Sequence, residues 1–177
     1  MSQVETLADQ LERSFRGGAW HGLAVSEALG GVDAAAAAAP PPAAGAHSIW
    51  EIVHHLTVWN DVSRRRIDGE RLQNLPPELD WPPVVDASAA AWQAALAALA
   101  DAHAALHARV LRLADGQLDD PVVGSDPTVR GMLLGVLQHS AYHAGQIALL
   151  RRAWLASGRD RHSPEAAPGG RPEGGRP

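Results

Sequence analysis

The chain contains no cysteine among its 177 residues, and this absence excludes several kinds of chemistry. Disulfide bonds, thiolate metal ligands and a thiol nucleophile carried by the protein are all excluded, because each requires a cysteine sulfur. Any reaction of a thiol at this protein would therefore use a thiol supplied by a second substrate.

Basic residues are outnumbered as well: there are 15 of them against 20 acidic residues, and the formal net charge is −5. The chain lacks the basic surplus that attracts a phosphate backbone, so we expect no nucleic-acid partner. No uncharged apolar run reaches the roughly 20 residues that a membrane-spanning helix needs. The N-terminal residues also lack the apolar region of a signal peptide. These features predict a cytoplasmic protein without a membrane partner.

β-branched residues are sparse, and no segment alternates convincingly between apolar and polar residues as a half-buried strand does. The aromatic side chains are six tryptophans, one phenylalanine and one tyrosine. Hydrophobic residues make up 46% of the chain, and many of them are alanines, which favour helix. The composition therefore predicts an all-α protein in which the tryptophans supply core volume.

Four long helical segments follow from the spacing of the apolar residues and from the residues that begin helices. Ser2 and Ser48 each precede a glutamate by three residues, which is the pattern of a capping box. Asp126 followed by Pro127 is typical of an N-cap and the first helical position. We predict the long helices over residues 2–16, 48–68, 86–115 and 126–158, with either Asp86 or Ser88 starting the third, and short helical turns over residues 23–29 and after Asp33.

The connection over residues 70–85 decides how the second and third long helices can pack. Its prolines predict a loop, and about 16 extended residues span roughly 50 Å. A helix of about 20 residues is only about 30 Å long, so the loop can return along the whole bundle. The second and third helices can therefore be parallel neighbours or diagonal partners, whereas a short loop would force antiparallel packing.

Histidines on two of these helices fall on apolar faces. His139 and His143 stand one turn apart in the fourth helix, and imidazoles at this spacing can hold one metal ion. On the second helix, His55 shares the inward face with Trp59, whereas His54 falls nearer the solvent. Helix bundles build metal sites from side chains on facing helices. Three neutral imidazoles would leave coordination positions open for water or substrate.

The spacing alone leaves alternatives open. His103 and His107 form a second pair at the same spacing, with His103 in the seam of the third helix and His107 on its flank. Buried histidines that bond to backbone carbonyls or to one another would also need no metal.

Other polar residues are candidates for the lining of a pocket beside the metal pair. His21 and His47 lie at junctions between loops and helices, and Gln146 lies one turn after the pair. Tyr142 points about 100° away from the second histidine of the pair, which predicts helix packing instead. Residues 64–66 are three arginines that we interpret as a solvated face, in which one arginine can bind an anionic thiol co-substrate.

Four segments together resemble the DinB/YfiT-like family of metal-dependent four-helix bundles. They are Ala-Trp-His-Gly at 19–22, the stretch His-Ser-Ile-Trp-Glu-Ile-Val-His-His-Leu at 47–56, Asp-Trp-Pro at 80–82, and residues 139–146. That family has one histidine about seven residues after a helix-capping serine and a His-x-x-x-His pair followed by Gly-Gln. The resemblance assigns the metal ligands to His55, His139 and His143, and gives the 103/107 pair no role.

The resemblance implies an up-down-down-up bundle over residues 1–158, and residues 159–177 are predicted to form a disordered Gly/Pro-rich tail. Relatives with assigned activities use bacillithiol or mycothiol. The resemblance therefore implies that a divalent transition metal, zinc or nickel, activates a low-molecular-weight thiol toward a small electrophilic substrate. It also implies a homodimer, and it assigns no catalytic side chain. A non-catalytic, metal-binding stress-response module and a metal-dependent hydrolase remain alternatives.

Overall fold

A computed structural model describes residues 1–158, which contain seven α-helices, one 3₁₀ helix and no β-strand. Four of the helices are long, and the predicted all-α bundle is confirmed. The α-helices are α1 (Gln3–Arg16), α2 (Val25–Leu29), α3 (Ala34–Ala38), α4 (Ile49–Ile67), α5 (Pro77–Asp80), α6 (Ala89–Val110) and α7 (Val129–Ala156), and the 3₁₀ helix is Asp115–Asp119.

Residues 159–177 lie outside the described residues. The disordered tail and the domain boundary at residue 158 therefore stay predictions. Within residues 1–158, no helix combines the length and the apolar character that crossing a bilayer requires.

Serine or threonine side chains begin all four long helices, as the backbone N–H groups of a first turn require. Ser2 and Ser48 form complete capping boxes with the glutamates three residues later. Ser88 caps α6 through the N–H of Ala91, at 3.2 Å. The sequence-based starts at these three serines are confirmed.

The predicted start of α7 at Asp126 is wrong. The helix begins at Val129, and Thr128 is its N-cap. The preceding residues form a tight turn, in which the N–H of Val122 donates to the carbonyl of Pro127 (3.2 Å) and the N–H of Val129 donates to the carbonyl of Asp120 (2.9 Å). The turn therefore holds the chain in a non-helical conformation up to residue 128.

The predicted end of α6 at Asp115 is also wrong, because the helix ends at Val110. Asp115 lies in the 3₁₀ helix, and its side chain caps the start of α1. Its carboxylate accepts from the N–H of Gln3 at 3.1 Å and of Val4 at 2.9 Å, and these bonds lower its pKa. The first turn of α1 is thus held by a residue 112 positions later in the chain, and sequence spacing gave no signal of this long-range cap.

Contacts at the helix ends establish an up-down-down-up order. The starts of α4 and α6 lie together, because Trp50 and Trp92 pack with ring centroids 5.0 Å apart. Their ends also lie together, because Arg109 Nε donates to Asp68 at 2.6 Å. The two helices are therefore parallel. The start of α1, at Val4, packs in one cluster with the start of α7 and the end of α6, so α1 and α7 run opposite to them.

The core consists of two apolar clusters with a gap between them. Along α7, residues up to Leu137 belong to one cluster, and residues from Ala144 onward belong to the other. His139 and His143 lie in this gap. The tryptophans do not all fill the core as predicted: Trp50 and Trp92 are 1% exposed, but Trp20 is fully exposed.

The connector between α4 and α6 contains α5 and is bonded to the side of α4. Trp59 Nε1 donates to Asp80 Oδ1 at 2.7 Å. His54 Nδ1 lies 3.1 Å from the carbonyl of Pro82, while its Nε2 accepts from Trp50 Nε1 at 3.0 Å. His54 lies nearer the solvent than the buried His55, as predicted, but it is half-buried and both of its ring nitrogens are bonded.

The substitution His54→Ala should lower the free energy of unfolding by about 1–3 kcal/mol, because the buried Trp50 N–H loses its acceptor. Denaturant unfolding followed by circular dichroism measures the change. The exposed His21→Ala variant is the control and should stay within about 0.5 kcal/mol of the wild type. Equal effects of the two substitutions would contradict the role of His54 as the acceptor for the buried Trp50 N–H.

Candidate metal centre

Three imidazoles from two helices meet in the gap between the apolar clusters. The Nε2 atom of His139 lies 2.9 Å from Nε2 of His55 and 2.9 Å from Nε2 of His143. One nitrogen from each ring lies within 4.8 Å of those of the other two. The rings pack edge to face, with centroids 4.4–5.0 Å apart. The structure thus brings together the three histidines that sequence analysis placed on inward faces; we call them the triad.

Acceptors outside the triad determine which ring nitrogen carries hydrogen. His55 Nδ1 lies 2.8 Å from the carbonyl oxygen of Asp80 and 3.1 Å from its Oδ1. His143 Nδ1 lies 2.6 Å from Gln146 Oε1. Because these oxygens only accept, both Nδ1 atoms donate, and each Nε2 presents a lone pair to the centre. This arrangement of outer partners is usual around metal-binding imidazoles.

Hydrogen bonds among the three Nε2 atoms leave the triad incompletely satisfied. Two of the Nε2 atoms are acceptors, and His139 Nε2 carries at most one hydrogen, so it can donate to only one of them. A shared cation would engage all three lone pairs. The donor set therefore fits a divalent transition metal, and three imidazoles suit zinc, nickel, copper or iron.

Burial keeps the triad in the form that binds metal. Loss of hydration lowers the pKa of His139 and of His143 from the ordinary 6.5 to about 4, and neighbouring imidazoles act in the same direction. Burial also lowers the pKa of His55, although Asp80 opposes the shift. The three rings are neutral at pH 7, so protons do not compete for their lone pairs.

The connector supplies an aromatic wall beside the triad. The indole of Trp81 stacks on His55 at a centroid distance of 3.8 Å and on His47 at 3.5 Å, so it lies between two imidazoles. On the other side, the ring of Trp59 meets the edges of His55 and His139 at 6.2 Å. These indoles restrict the movement of His55 and shield it from water.

Two cavities flank the triad and each reaches part of it. The first has a volume of about 350 Å³ and the second about 390 Å³. The first is lined by Gly45, Ala46, His47, Ile52, Trp81, Tyr142, His143, Gln146, Leu149 and Leu150. The second is lined by His55, Trp59, Ser63, Arg66, Pro127, Gly131, Met132, Gly135, Val136 and His139. A ligand can therefore approach the triad from either side.

Two of the three residues that the sequence proposed for the pocket line the first cavity, and the third does not. His47 and Gln146 line the first cavity, whereas His21 is exposed in the segment before α2 and does not line it. Tyr142 was predicted to serve helix packing, but it is 63% exposed, lines this cavity and accepts a hydrogen bond from Gln146 Nε2 at 3.0 Å. Sequence analysis also assigned no role to Asp80, although the resembling Asp-Trp-Pro segment contains it.

The alternative histidine pair has other partners. His103 is buried, lies 3.1 Å from Glu12 Oε2 through its Nε2, and stacks on Phe15 at 4.0 Å. His107 lies beside it with ring centroids 6.2 Å apart. Within residues 1–158, the triad is the one group of three or more candidate ligands that converges on a point.

Comparison with family sequence models gives a match over most of the chain. The sequence model of the DinB superfamily matches residues 20–147, a stretch that includes α4, α6 and all three residues of the triad. Searches of curated proteins and of solved structures found no match.

Replacing either His139 or His143 with alanine should abolish stoichiometric metal binding, because two imidazoles remain where three converge. The metal content of purified protein, measured by inductively coupled plasma mass spectrometry after loading with zinc or nickel, tests this. His107→Ala is the matched control and should keep about one ion per chain. Full occupancy in the double variant His139→Ala/His143→Ala would refute this ligand set.

The metal-free protein should lose stability as the pH falls from 6.5 toward 4. The folded-state pKa of His139 and of His143 lies below its unfolded value, so the unfolded chain binds more protons in this window and the free energy of unfolding decreases. Urea unfolding at several pH values gives the slope. The variants His139→Gln and His143→Gln should flatten it, and the exposed His21→Gln should not. An unchanged slope in both triad variants would show that these rings are protonated normally.

Proposed function

Because the chain belongs to the DinB superfamily and three neutral imidazoles converge between two cavities, we propose that it is a metal-dependent enzyme that transfers a low-molecular-weight thiol to an electrophile. The convergence of three Nε2 atoms at a point reached from two sides is the observation that carries the proposal. One side admits the thiol, and the other admits the electrophile.

A zinc or nickel ion held by the triad would supply Lewis acidity, which lowers the pKa of a coordinating thiol and favours the thiolate at neutral pH. The protein's residues provide the setting for this chemistry. Asp80 and Gln146 accept hydrogen bonds from the Nδ1 atoms of His55 and His143, and so keep the lone pairs aimed inward. Neutral ligands add no negative charge that would repel an anionic sulfur.

The bond changes of the proposed reaction are those of nucleophilic substitution or addition at carbon. The thiol releases its proton to solvent, its sulfur attacks the electrophilic carbon, and a carbon–sulfur bond forms. In substitution, the leaving group departs with the bonding electron pair. In addition, a proton from solvent is taken up by the neighbouring carbon. The protein has no cysteine, so the thiol must come from the co-substrate.

The polar side chains of the first cavity favour it as the thiol side. His47, Tyr142 and Gln146 line it beside His143. Low-molecular-weight thiols such as bacillithiol and mycothiol are polar molecules with many hydroxyl and amide groups, and these three side chains offer donors and acceptors to them. The tyrosine hydroxyl and the glutamine amide already bond each other, so their orientation is set before a ligand arrives.

A hydrolase is less well supported. Metal-dependent hydrolysis uses a general base to take a proton from the attacking water, and carboxylates often serve in that role. Among residues 1–158, no aspartate or glutamate lines either cavity. A metal-binding stress-response module without catalysis would need the triad but not two open approaches to it.

The proposal includes a cytoplasmic homodimer. Leu134, Tyr142 and Leu149 are exposed large side chains on one outer face of α7, with 44%, 63% and 66% of their surface accessible. At 3.6 residues per turn, their spacing of eight and seven residues places them within about 80° of one another around the helix. An exposed apolar row of this kind is suited to pairing with a second copy, which would border the first cavity because Tyr142 and Leu149 also line it.

The test is a rate assay with metal-loaded protein, a panel of thiols including bacillithiol and mycothiol, and 1-chloro-2,4-dinitrobenzene as electrophile. The loaded wild type should accelerate conjugation with at least one thiol, and the metal-free protein and His139→Ala should not. Gln146→Ala, which removes the acceptor of His143, should lower the rate by about 10–100-fold. His107→Ala is the control with wild-type activity. A loaded protein that accelerates no thiol in the panel would favour the non-catalytic module.

A further inference from the structure

Arg66 differs from its two arginine neighbours in lacking an acidic partner. Arg64 forms ion pairs with Asp61 and Asp68, and Arg65 also pairs with acidic side chains of α4 and the following loop. Within residues 1–158, Arg66 forms no ion pair. The three consecutive arginines therefore do not form the uniform solvated face that the sequence predicted.

The guanidinium of Arg66 is held in place at the second cavity. Its Nε and Nη2 donate to the carbonyl of Leu72 at 3.0 and 2.6 Å. Its Cζ lies 5.4 Å from the centroid of the Trp59 ring. Nη1 has no hydrogen-bond partner among the described residues. The side chain is half-buried, and burial lowers its pKa, as expected for a cation that has lost part of its hydration. An anion would compensate this cost.

The remainder of the second cavity is mostly apolar. Trp59, Met132 and Val136 line it between Arg66 and the triad, and two glycines of α7, Gly131 and Gly135, also border it. A Cβ added to Gly135 would meet no atom within 4 Å, so the space above this residue is open.

Trp59 connects the cation to the triad. The centroid of the indole lies 5.4 Å from Arg66 Cζ and 6.2 Å from the ring centroid of His139. A ligand lying along this indole would have one end at the guanidinium and the other at the Nε2 atoms of His55 and His139. The cavity therefore has a polar end, an apolar middle and a reactive end.

We infer that the second cavity binds the electrophilic substrate, and that this substrate is a carboxylate with an apolar body. The carboxylate pairs with Arg66, and the body lies along Trp59, Met132 and Val136 with its far end at the triad. This inference rests on the proposed function, because it assigns the second cavity to the electrophile. Planar carboxylates match the fork of a guanidinium. The apolar lining is unsuited to a hydroxyl-rich thiol, which has polar partners in the first cavity.

Asp126 is an acidic residue close to Arg66. Asp126 and Arg66 both line a smaller neighbouring cavity, although they form no ion pair. An Asp126→Asn variant therefore tests whether this carboxylate competes with a ligand for the guanidinium. If Arg66 is a receptor for the substrate carboxylate, removing Asp126 should leave ligand affinity unchanged or raise it.

The binding experiment uses 3-phenylpropionate as the probe and its neutral amide as the matched ligand. Isothermal titration calorimetry is carried out on zinc-loaded protein and repeated on metal-free protein, where a carboxylate cannot bind through the ion. The acid should bind both forms, and the amide should bind more weakly. Arg66→Gln should weaken binding of the acid by about 10–100-fold, the range of one charge-assisted hydrogen-bonded contact. Arg64→Gln is the control, and its affinity should stay within about twofold.

A second variant tests the cavity without removing the cation. Gly135→Leu places a side chain in the open space beside the apolar lining and should abolish binding of 3-phenylpropionate. Replacing a helical glycine favours helix formation, so this variant should remain folded. Its circular dichroism spectrum and zinc content should match the wild type.

Three outcomes would overturn the inference: no binding of the acid to wild-type protein, equal binding to wild type and Arg66→Gln, or tighter binding of inorganic phosphate than of 3-phenylpropionate. Thiol transfer with 1-chloro-2,4-dinitrobenzene, which has no carboxylate, is measured on the same variants. Activity without Arg66-dependent binding would support the proposed function and reject the inference. Arg66-dependent binding in a protein that transfers no thiol would support a carboxylate site and reject the proposed function.

Discussion

Placing three imidazoles in the interior of an apolar bundle is the constraint on which the rest of the structure depends. A buried polar group without a partner costs free energy, so each of these rings needs partners on its inner or outer side. The outer partners of His55 and His143 are Asp80 and Gln146, and the inner sides face one another. The gap between the two apolar clusters exists because these rings occupy it.

The parallel packing of α4 and α6 bears on the same constraint, because it requires a long connector that can supply partners to these rings. An antiparallel hairpin would join these helices by a short loop at one end of the bundle, far from the triad. Here the connector returns along α4, and on its way it places Asp80 against His55 and Trp81 on the ring of the same histidine. The connector is thus a wall of the site as well as a link, and the topology of the bundle decides which residues surround the centre.

Much of this structure could be predicted from the sequence, because helices and their caps are local features. The serine caps, the helical spacing of His139 and His143 and the inward direction of His55 all follow from short-range rules. What could not be predicted depends on contacts between distant residues. The bond from His54 to Pro82, the role of Asp115 as a cap for α1 and the start of α7 at Val129 arise from the folded arrangement.

The distinction between local features and long-range contacts also explains where the site differs from the sequence-based predictions. Helical period predicted the inward direction of the ligands but not the shapes of the cavities beside them. Tyr142 faces away from the bundle axis, yet it borders the first cavity because that cavity opens at the surface of α7. Arg66 belongs to a run of three arginines whose acidic partners lie both in α4 and after it, and no periodic pattern shows which of the three lacks one.

The long-range cap on α1 has a consequence for how the chain assembles during synthesis. The first turn of α1 depends on Asp115, which is 112 residues from Gln3, and the apolar side chains of this turn pack against α6 and α7. At about 5–20 residues per second, the ribosome needs on the order of 10 s to supply these partners. Val4 and Leu7 therefore leave the ribosome well before the residues that bury them, so α1 exposes its apolar side chains to chaperones during that interval.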